Sequence, residues 1–315
     1  MKKIVYVTGC LGFIGSHVTR ACLEQGWYVI GVDKCTYASN LNFLAEFEAK
    51  ENFKFIKSDI NDLDRLYDCD YVINTAAETH VDNSIESSDS FVHSNINGVH
   101  HLLKLIQQKG AVYRMPTLLH FSTDEVYGDI DSGSHTERDI LKPSNPYSAT
   151  KAAADMLVLG WARTHKVPYV IVRPSNNYGI GQYVEKLIPK SVKYLTCGRK
   201  IDIHNNGTPV RTWLHASDTA NAVVTIINDG VKNEIFNISG NYQEQNIVVI
   251  RKIVELMHGS LENIDQHLEH MTRPGQDLRY DVDDTKLKAL GWVPMANFDQ
   301  ELIKIVDYYK RNFIW

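Results

Sequence analysis

The sequence predicts an α/β protein built on a doubly wound parallel sheet, with a smaller lobe toward the C-terminus. Three observations predict it. Short β-rich runs alternate with longer helical patterns through the first half of the 315 residues. A glycine-rich turn joins the first β-rich run to the first helical pattern. Beyond Ser175 the alternation loosens into shorter segments punctuated by Gly and Pro.

The β-rich runs are residues 4–8, 28–33, 53–57, 71–76, 117–122 and 169–173. Their Val, Ile, Tyr and Phe suit a pleated, packed surface, and near-continuous apolar runs suit strands covered on both faces. Helical patterns at 14–26, 89–110 and 147–165 fall between them. A helical crossover lets successive strands pair in parallel. Ligands of such sheets bind at the carboxyl ends of the strands, and the looser region after Ser175 is expected across that end. The division is therefore 1–175 for the sheet domain and 176–315 mainly for the lobe. That boundary is soft, because residues 231–240 can return to the main sheet as another strand. There is no internal repeat and no low-complexity tract.

With 43% hydrophobic and 23% charged residues, the composition is that of a soluble globular protein. A net charge of −5 gives the whole molecule no attraction to nucleic acid, so an anionic substrate needs local Lys and Arg. The five cysteines, Cys10, Cys22, Cys35, Cys69 and Cys197, are scattered without a C-x-x-C pair. That argues against a disulfide framework or a metal site, and for a reducing compartment. Met1-Lys2-Lys3 before the apolar 4–7 run imitates a signal peptide, but the run breaks at Gly9, too short for export or a membrane span. A cytoplasmic location without membrane contact is expected.

After the first strand, Gly9-Cys10-Leu11-Gly12-Phe13-Ile14-Gly15 opens a helix. Glycines here permit a tight turn and close backbone approach to a pyrophosphate, whose charge is favoured at a helix N-terminus. The fold is thus Rossmann-type. Asp33 ends the next strand 18 residues after Gly15, close to the spacing of a ribose-binding acid. A carboxylate there accepts from a ribose diol and repels a 2′-phosphate, which favours NAD over NADP. Asp59-Ile60 can hold the adenine edge, and a helix N-cap is an equal reading of Asp59.

Tyr147 and Lys151 form a Y-x-x-x-K pair on a helix that Pro146 initiates. Positions i and i+4 share a face, and a nearby cation lowers the pKa of a phenol, ordinarily ~10. That suits removal of a hydroxyl proton during hydride transfer. By itself such a pair is often surface decoration; its place after a dinucleotide fingerprint favours catalysis. Ser122-Thr123-Asp124-Glu125 ends the fifth strand at the ligand crevice. Thr123 can bridge a substrate hydroxyl and Tyr147. Adjacent Asp124 and Glu125 repel each other unless one stays protonated, the arrangement of a paired acid and base.

Together these residues resemble the extended short-chain dehydrogenase/reductase family, and within it the nucleotide-sugar 4,6-dehydratase branch typified by dTDP-glucose 4,6-dehydratase. The likeness runs nearly end to end. It includes Asp33-Lys34-Cys35-Thr36-Tyr37-Ala38, Ala76-Ala77-Glu78-Thr79-His80, Thr123-Asp124-Glu125, Asn145-Pro146-Tyr147-Ser148, Ser175-Asn176-Asn177-Tyr178-Gly179, Glu185-Lys186-Leu187 and Arg273-Pro274-Gly275. The resemblance implies that Tyr147, supported by Lys151, takes the C4 hydroxyl proton of a nucleotide-linked hexose while NAD accepts the hydride. Glu125 then removes the C5 proton, Asp124 protonates the departing C6 hydroxyl, and the hydride returns to C6. A tightly held NAD regenerated in each cycle follows.

The same resemblance implies that Phe13, Ile14, Asp33, Lys34, Thr36, Asp59, Ile60, Ala76, Ala77, Ser94 and Asn177 line the NAD site, with Tyr147 and Lys151 also touching the cofactor. It implies His80, Thr123, Asn176, Lys186, Leu187, Arg211, Asn246 and Arg273 at the sugar nucleotide, with Arg211 and Lys186 as diphosphate donors. A homodimer through 89–110 and 147–165 is implied as well. Two places depart from the pattern. Asp202-Ile203-His204 replaces a Pro-Ile-Tyr segment, and Gln276 replaces a His. Both are expected near the base and phosphates, so dTDP versus UDP and glucose versus N-acetylglucosamine stay open. A 4-epimerase shares the cofactor fold and the Tyr/Lys pair but gives adjacent acids no task. A non-catalytic NAD-binding regulator would not need the four catalytic groups.

Overall fold

The computed structural model describes residues 2–272 and 277–312. Its first half runs β1 (Ile4–Thr8), α1 (Phe13–Glu24), β2 (Tyr28–Asp33), α2 (Leu41–Glu48), β3 (Phe53–Lys57), β4 (Tyr71–Asn74) and α3 (Val81–Glu86). Then come α4 (Asp89–Phe91), a π-helical turn Val92–Asn97, α5 (Gly98–Gly110), β5 (Thr117–Phe121), α6 (Pro146–His165) and β6 (Tyr169–Pro174). The second half holds β7 (Asn176–Tyr178), α7 (Leu187–Thr196), β8 (Ile201–His204), β9 (Val210–His215), α8 (Ala216–Asp229), β10 (Glu234–Ile238) and β11 (Tyr242–Gln245). It ends with α9 (Asn246–His258), β12 (Leu268–Met271), α10 (Thr285–Lys288) and α11 (Phe298–Tyr309). Among the described residues, no helix is long and apolar enough to cross a membrane.

Seven parallel strands form the central sheet in the order β10-β6-β5-β4-β1-β2-β3. The order reverses between β1 and β4, which opens a crevice beyond their carboxyl ends. Alternate side chains of each strand face opposite sides. Val5 and Val7 of β1 pack with Val18 and Cys22 of α1 and with Val223 and Ile226 of α8. Tyr6 packs on the other face with Leu102 and Ile106 of α5 and Val158 of α6. Two buried layers therefore cover the sheet on both faces.

The six expected strands are present, their ends shifted by at most two residues. Segment 231–240 does supply β10, which pairs with β6. α8 was not anticipated beneath the sheet; its apolar face (Ala220, Val223, Ile226) covers α1, so residues 216–238 belong with the main body. The expected helix 89–110 is interrupted by the π turn. That wider turn buries Ser94 and Asn95, and the Asn95 amide holds the Glu78 carbonyl (3.0 Å) and Thr150 (3.0 Å). It thereby ties the segment after β4 to the helix bearing Tyr147, in keeping with the frequent placement of π turns at functional sites.

The lobe has its own small sheets, β11-β9-β7 and β12-β8. Its core gathers Tyr178, Trp213, Val249, Phe298 and Ile305.

Candidate active site

Two adjoining cavities lie at the carboxyl ends of the strands, both containing Thr79 and Glu185. The first is built on the glycine turn. Gly9 has φ +70°, and a Cβ on it would stand 2.8 Å from the Ala76 nitrogen, so β1 and β4 close together only over glycine. A Cβ on Gly15 would collide with the Gly9 carbonyl. Gly12 caps α1 without a side-chain bond, which leaves its first amides to face an anion. The Asp33 carboxylate accepts from Leu11 N (3.0 Å), Cys35 N (2.8 Å) and Ser39 Oγ (2.8 Å), so one acid shapes both loops of this cavity.

Gly9, Gly12, Asp33, Lys34, Thr36, Asp59, Ile60, Ala76, Ala77 and Ser94 all line this cavity. Lys34 Nζ reaches Ser94 Oγ (3.3 Å), Asp59 (3.5 Å) and Glu78 (3.8 Å). Asp59 lines the cavity and caps the turn Ile60–Asp62. Six of the expected cofactor residues do not line this cavity; Tyr147 and Lys151 lie with the catalytic candidates. Phe13 turns its ring to His17 (5.5 Å), Ile14 packs on the core, and Gly15 lies behind the loop. The Asn177 amide is taken by Ser175 O (3.0 Å) and Thr219 Oγ1 (2.6 Å).

The second cavity gathers Glu125 with His80, Asn176, Lys186, Leu187, Asp202, His204, Arg211 and Asn246. Arg273 and Gln276 lie outside the described residues. Arg211 is buried, donates to Val210 O (2.8 Å) and Asp277 O (3.0 Å), and stacks on Tyr280 (4.3 Å). Asp202, expected as a polar contact, pairs with Lys190 at 2.7 Å. Lys190, Asn145, Trp213, Asp277 and Tyr280 also line this space without having been singled out. Lys190 follows Lys186 by one helical turn, a signal that could have found it. Asp277 and Tyr280 are delivered by the pairing of Arg279 with Val210, which no local pattern announces.

The catalytic candidates converge where β5 ends. Thr123 caps a short turn, Asp124–Tyr127, accepting from Glu125 N (3.3 Å) and donating to Asp124 Oδ1 (3.2 Å). Buried Tyr127 fixes the end of this turn through Arg173 (2.7 Å), itself doubly bonded to Asp155 on α6 (2.9 and 3.0 Å). Asp124 is 3% exposed, and its Oδ2 has no hydrogen-bond partner among the described residues. Burial first, and then Glu125, push its pKa up to about 7. Burial also raises Glu125, against Arg211, Lys186 and Asn145, which favour its charged form. Near neutrality this pair can present one acid and one base.

One expectation fails. Lys151 was expected to lower the Tyr147 phenol; instead burial and then Glu125 push that phenol up, with a Thr123 hydrogen bond opposing. The Lys151 ammonium donates to the Phe121 carbonyl at 2.5 Å. Sharing a helix face places the two residues together but does not set the lysine rotamer, and the strand-end carbonyl captures it. Burial lowers Lys151 to about 8, against Asp155.

A family profile described as GDP-mannose 4,6 dehydratase matches residues 6–305. A probable dTDP-glucose 4,6-dehydratase of Sinorhizobium fredii is 38% identical, over 99% of this chain and 94% of that protein. A trifunctional protein of Arabidopsis thaliana that includes UDP-glucose 4,6-dehydratase is 37% identical, over 99% of this chain and 48% of its own length. The dTDP-glucose 4,6-dehydratase DesIV of Streptomyces venezuelae, solved with NAD bound, superposes with a TM-score of 0.91 at 34% identity, covering 98% of this chain and 97% of that one.

Proposed function

The chain belongs to the GDP-mannose 4,6 dehydratase family of extended short-chain dehydrogenases/reductases, and we propose that its glycine-turn cavity holds NAD while its larger cavity holds a dTDP- or UDP-linked hexose. It is a nucleotide-sugar 4,6-dehydratase, a hydro-lyase. The carrying observation is the adjacent acids Asp124 and Glu125, one raised to about 7, beside buried Tyr147. An epimerase working at C4 alone has no task for both.

The Gly9 and Gly15 cradle, the uncapped start of α1 and the Asp33 carboxylate fit a dinucleotide. When bound, NAD supplies a cationic ring and an acceptor for the C4 hydride, which it gives back at C6. Tyr147 takes the C4 hydroxyl proton as its phenolate, a form that burial and Glu125 oppose and that the Thr123 hydrogen bond and the charge of a bound nicotinamide ring would favour. The C4 ketone acidifies C5–H, and Glu125 removes that proton. Asp124, protonated through much of the neutral range, gives its proton to the C6 hydroxyl, which leaves as water. Glu125 then returns a proton to C5. Arg211 and Lys186 hold the diphosphate.

The polar pair Asp202–Lys190 and His204 support a UDP-linked donor. A C5 methyl is worth only about 1–3 kcal/mol in an apolar pocket, and polar groups can replace that contact. A UDP-linked gluco-configured sugar is used at least as well as dTDP-glucose. Comparing kcat/KM for UDP-glucose, UDP-N-acetylglucosamine and dTDP-glucose checks this. A preference beyond about tenfold for dTDP-glucose over both rejects it.

Two companion readings belong here. The scattered thiols suit a cytoplasmic enzyme. Val92 and Met156, 40% and 50% exposed beside α5 and on α6, support a homodimer through those helices. Light scattering at twice the mass of one chain is the expected result, and a monomer at micromolar concentration speaks against it.

A further inference from the structure

We propose that Asn145 is a positioning residue for the base: one side chain caps the catalytic helix with its oxygen and holds Glu125 with its amide. This rests on the reading of Glu125 as the group that removes the C5 proton.

Asn145 Oδ1 accepts from Ser148 N (2.9 Å), and Ser148 Oγ in turn accepts from Asn145 N (3.3 Å), a reciprocal cap at the start of α6. The other end of the same amide, Nδ2, donates to Glu125 Oε2 at 3.5 Å. Both ends demand the same orientation. Flipping the amide would set a donor against the Ser148 N–H and an oxygen against the carboxylate. The frame around it is firm: Pro146 fixes the next φ, Ser144 donates to Asp277, and Tyr147 N donates to Ser84 Oγ (3.2 Å). Asn145 and Glu125 both face the larger cavity. The start of the helix that carries Tyr147 and Lys151 is thereby joined directly to the base.

Glu125 is also faced by Arg211 and Lys186, which favour its charge, and by Asp277, Asp124, Tyr147 and Tyr280. Among these the Asn145 amide is the donor that a small substitution removes without removing a charge. A hydrogen bond to the carboxylate favours its ionised form, so losing it raises the pH at which the base becomes available.

The test separates cap from donor. Ser and Asp cap helices about as well as Asn, so Asn145→Ser and Asn145→Asp should melt as the parent does. Asn145→Ser removes the donor, and Asn145→Asp adds a like charge. The readout is solvent deuterium incorporated at C5 of the product as a function of pH. The acid limb of that profile should move up by about half a unit for Asn145→Ser and about one unit or more for Asn145→Asp, with cofactor reduction affected less. A limb that stays in place in both variants overturns the proposal and leaves Asn145 as a cap. Glu125→Gln is run beside them. If it incorporates deuterium as the parent does, the base assignment fails and the proposal with it. If it does not, while the limb of the Asn145 variants stays put, the positioning role alone fails.

Discussion

Tyr147→Phe lowers kcat by about a thousandfold or more and leaves no reduced nicotinamide when substrate is added. The phenol is the group placed to take the C4 hydroxyl proton, and removing a positioned base costs about 10²–10⁴. The loss should be chemical and not structural. Phe keeps the ring that packs edge-on to Phe91 at 6.4 Å, and the backbone bond from residue 147 to Ser84 does not involve the hydroxyl. The melting temperature should therefore hold while stopped-flow absorbance shows no cofactor reduction. Ready reduction in this variant would remove Tyr147 from the first step.

Glu125→Gln has the opposite signature. C4 oxidation proceeds, elimination stalls, and reduced nicotinamide accumulates on the enzyme while product falls by about 10²–10⁴. Gln matches the shape of Glu and can still meet Asn145, so the pocket is kept. The effect is compounded by the neighbour. Glu125 is the second cause, after burial, of the raised Asp124; neutralising it lowers the Asp124 pKa while burial keeps it raised, so Asp124 holds its proton over a smaller share of the neutral range. In the parent, elimination needs Asp124 protonated and Glu125 ionised. Its rate therefore falls as pH rises through about 7 and falls again as pH drops through the raised Glu125 value. These limbs belong to the pair. No reduced nicotinamide in Glu125→Gln would count against this order of steps.

What was legible in the sequence was local. Strands β1 to β6 announce themselves by composition over five or six residues, and the glycine turn is one contiguous segment whose spacing is itself the structure. Thr123, Asp124 and Glu125 are adjacent, so their conflict of charge could be read directly. What was not legible depends on distance or rotamer. Asp277 and Tyr280 reach the site from a remote segment, and Lys190 meets Asp202 across the gap from α7 to β8. Lys151 shares a face with Tyr147 but donates to Phe121 O, because its conformation follows the nearest buried acceptor. Asn145 could have been found, since Asn before Pro is a helix-start signal and Tyr147 follows at once. Its second partner, Glu125, lies 20 residues back and only the fold reveals it.

The reaction is dehydration with internal return of the hydride. It is tested most directly by incubating the purified protein, without added cofactor, with each nucleotide-linked hexose and measuring product mass and proton spectrum. The expected product is lighter by one water and carries a C4 carbonyl and a C6 methyl. A product of unchanged mass with inverted C4 would contradict it.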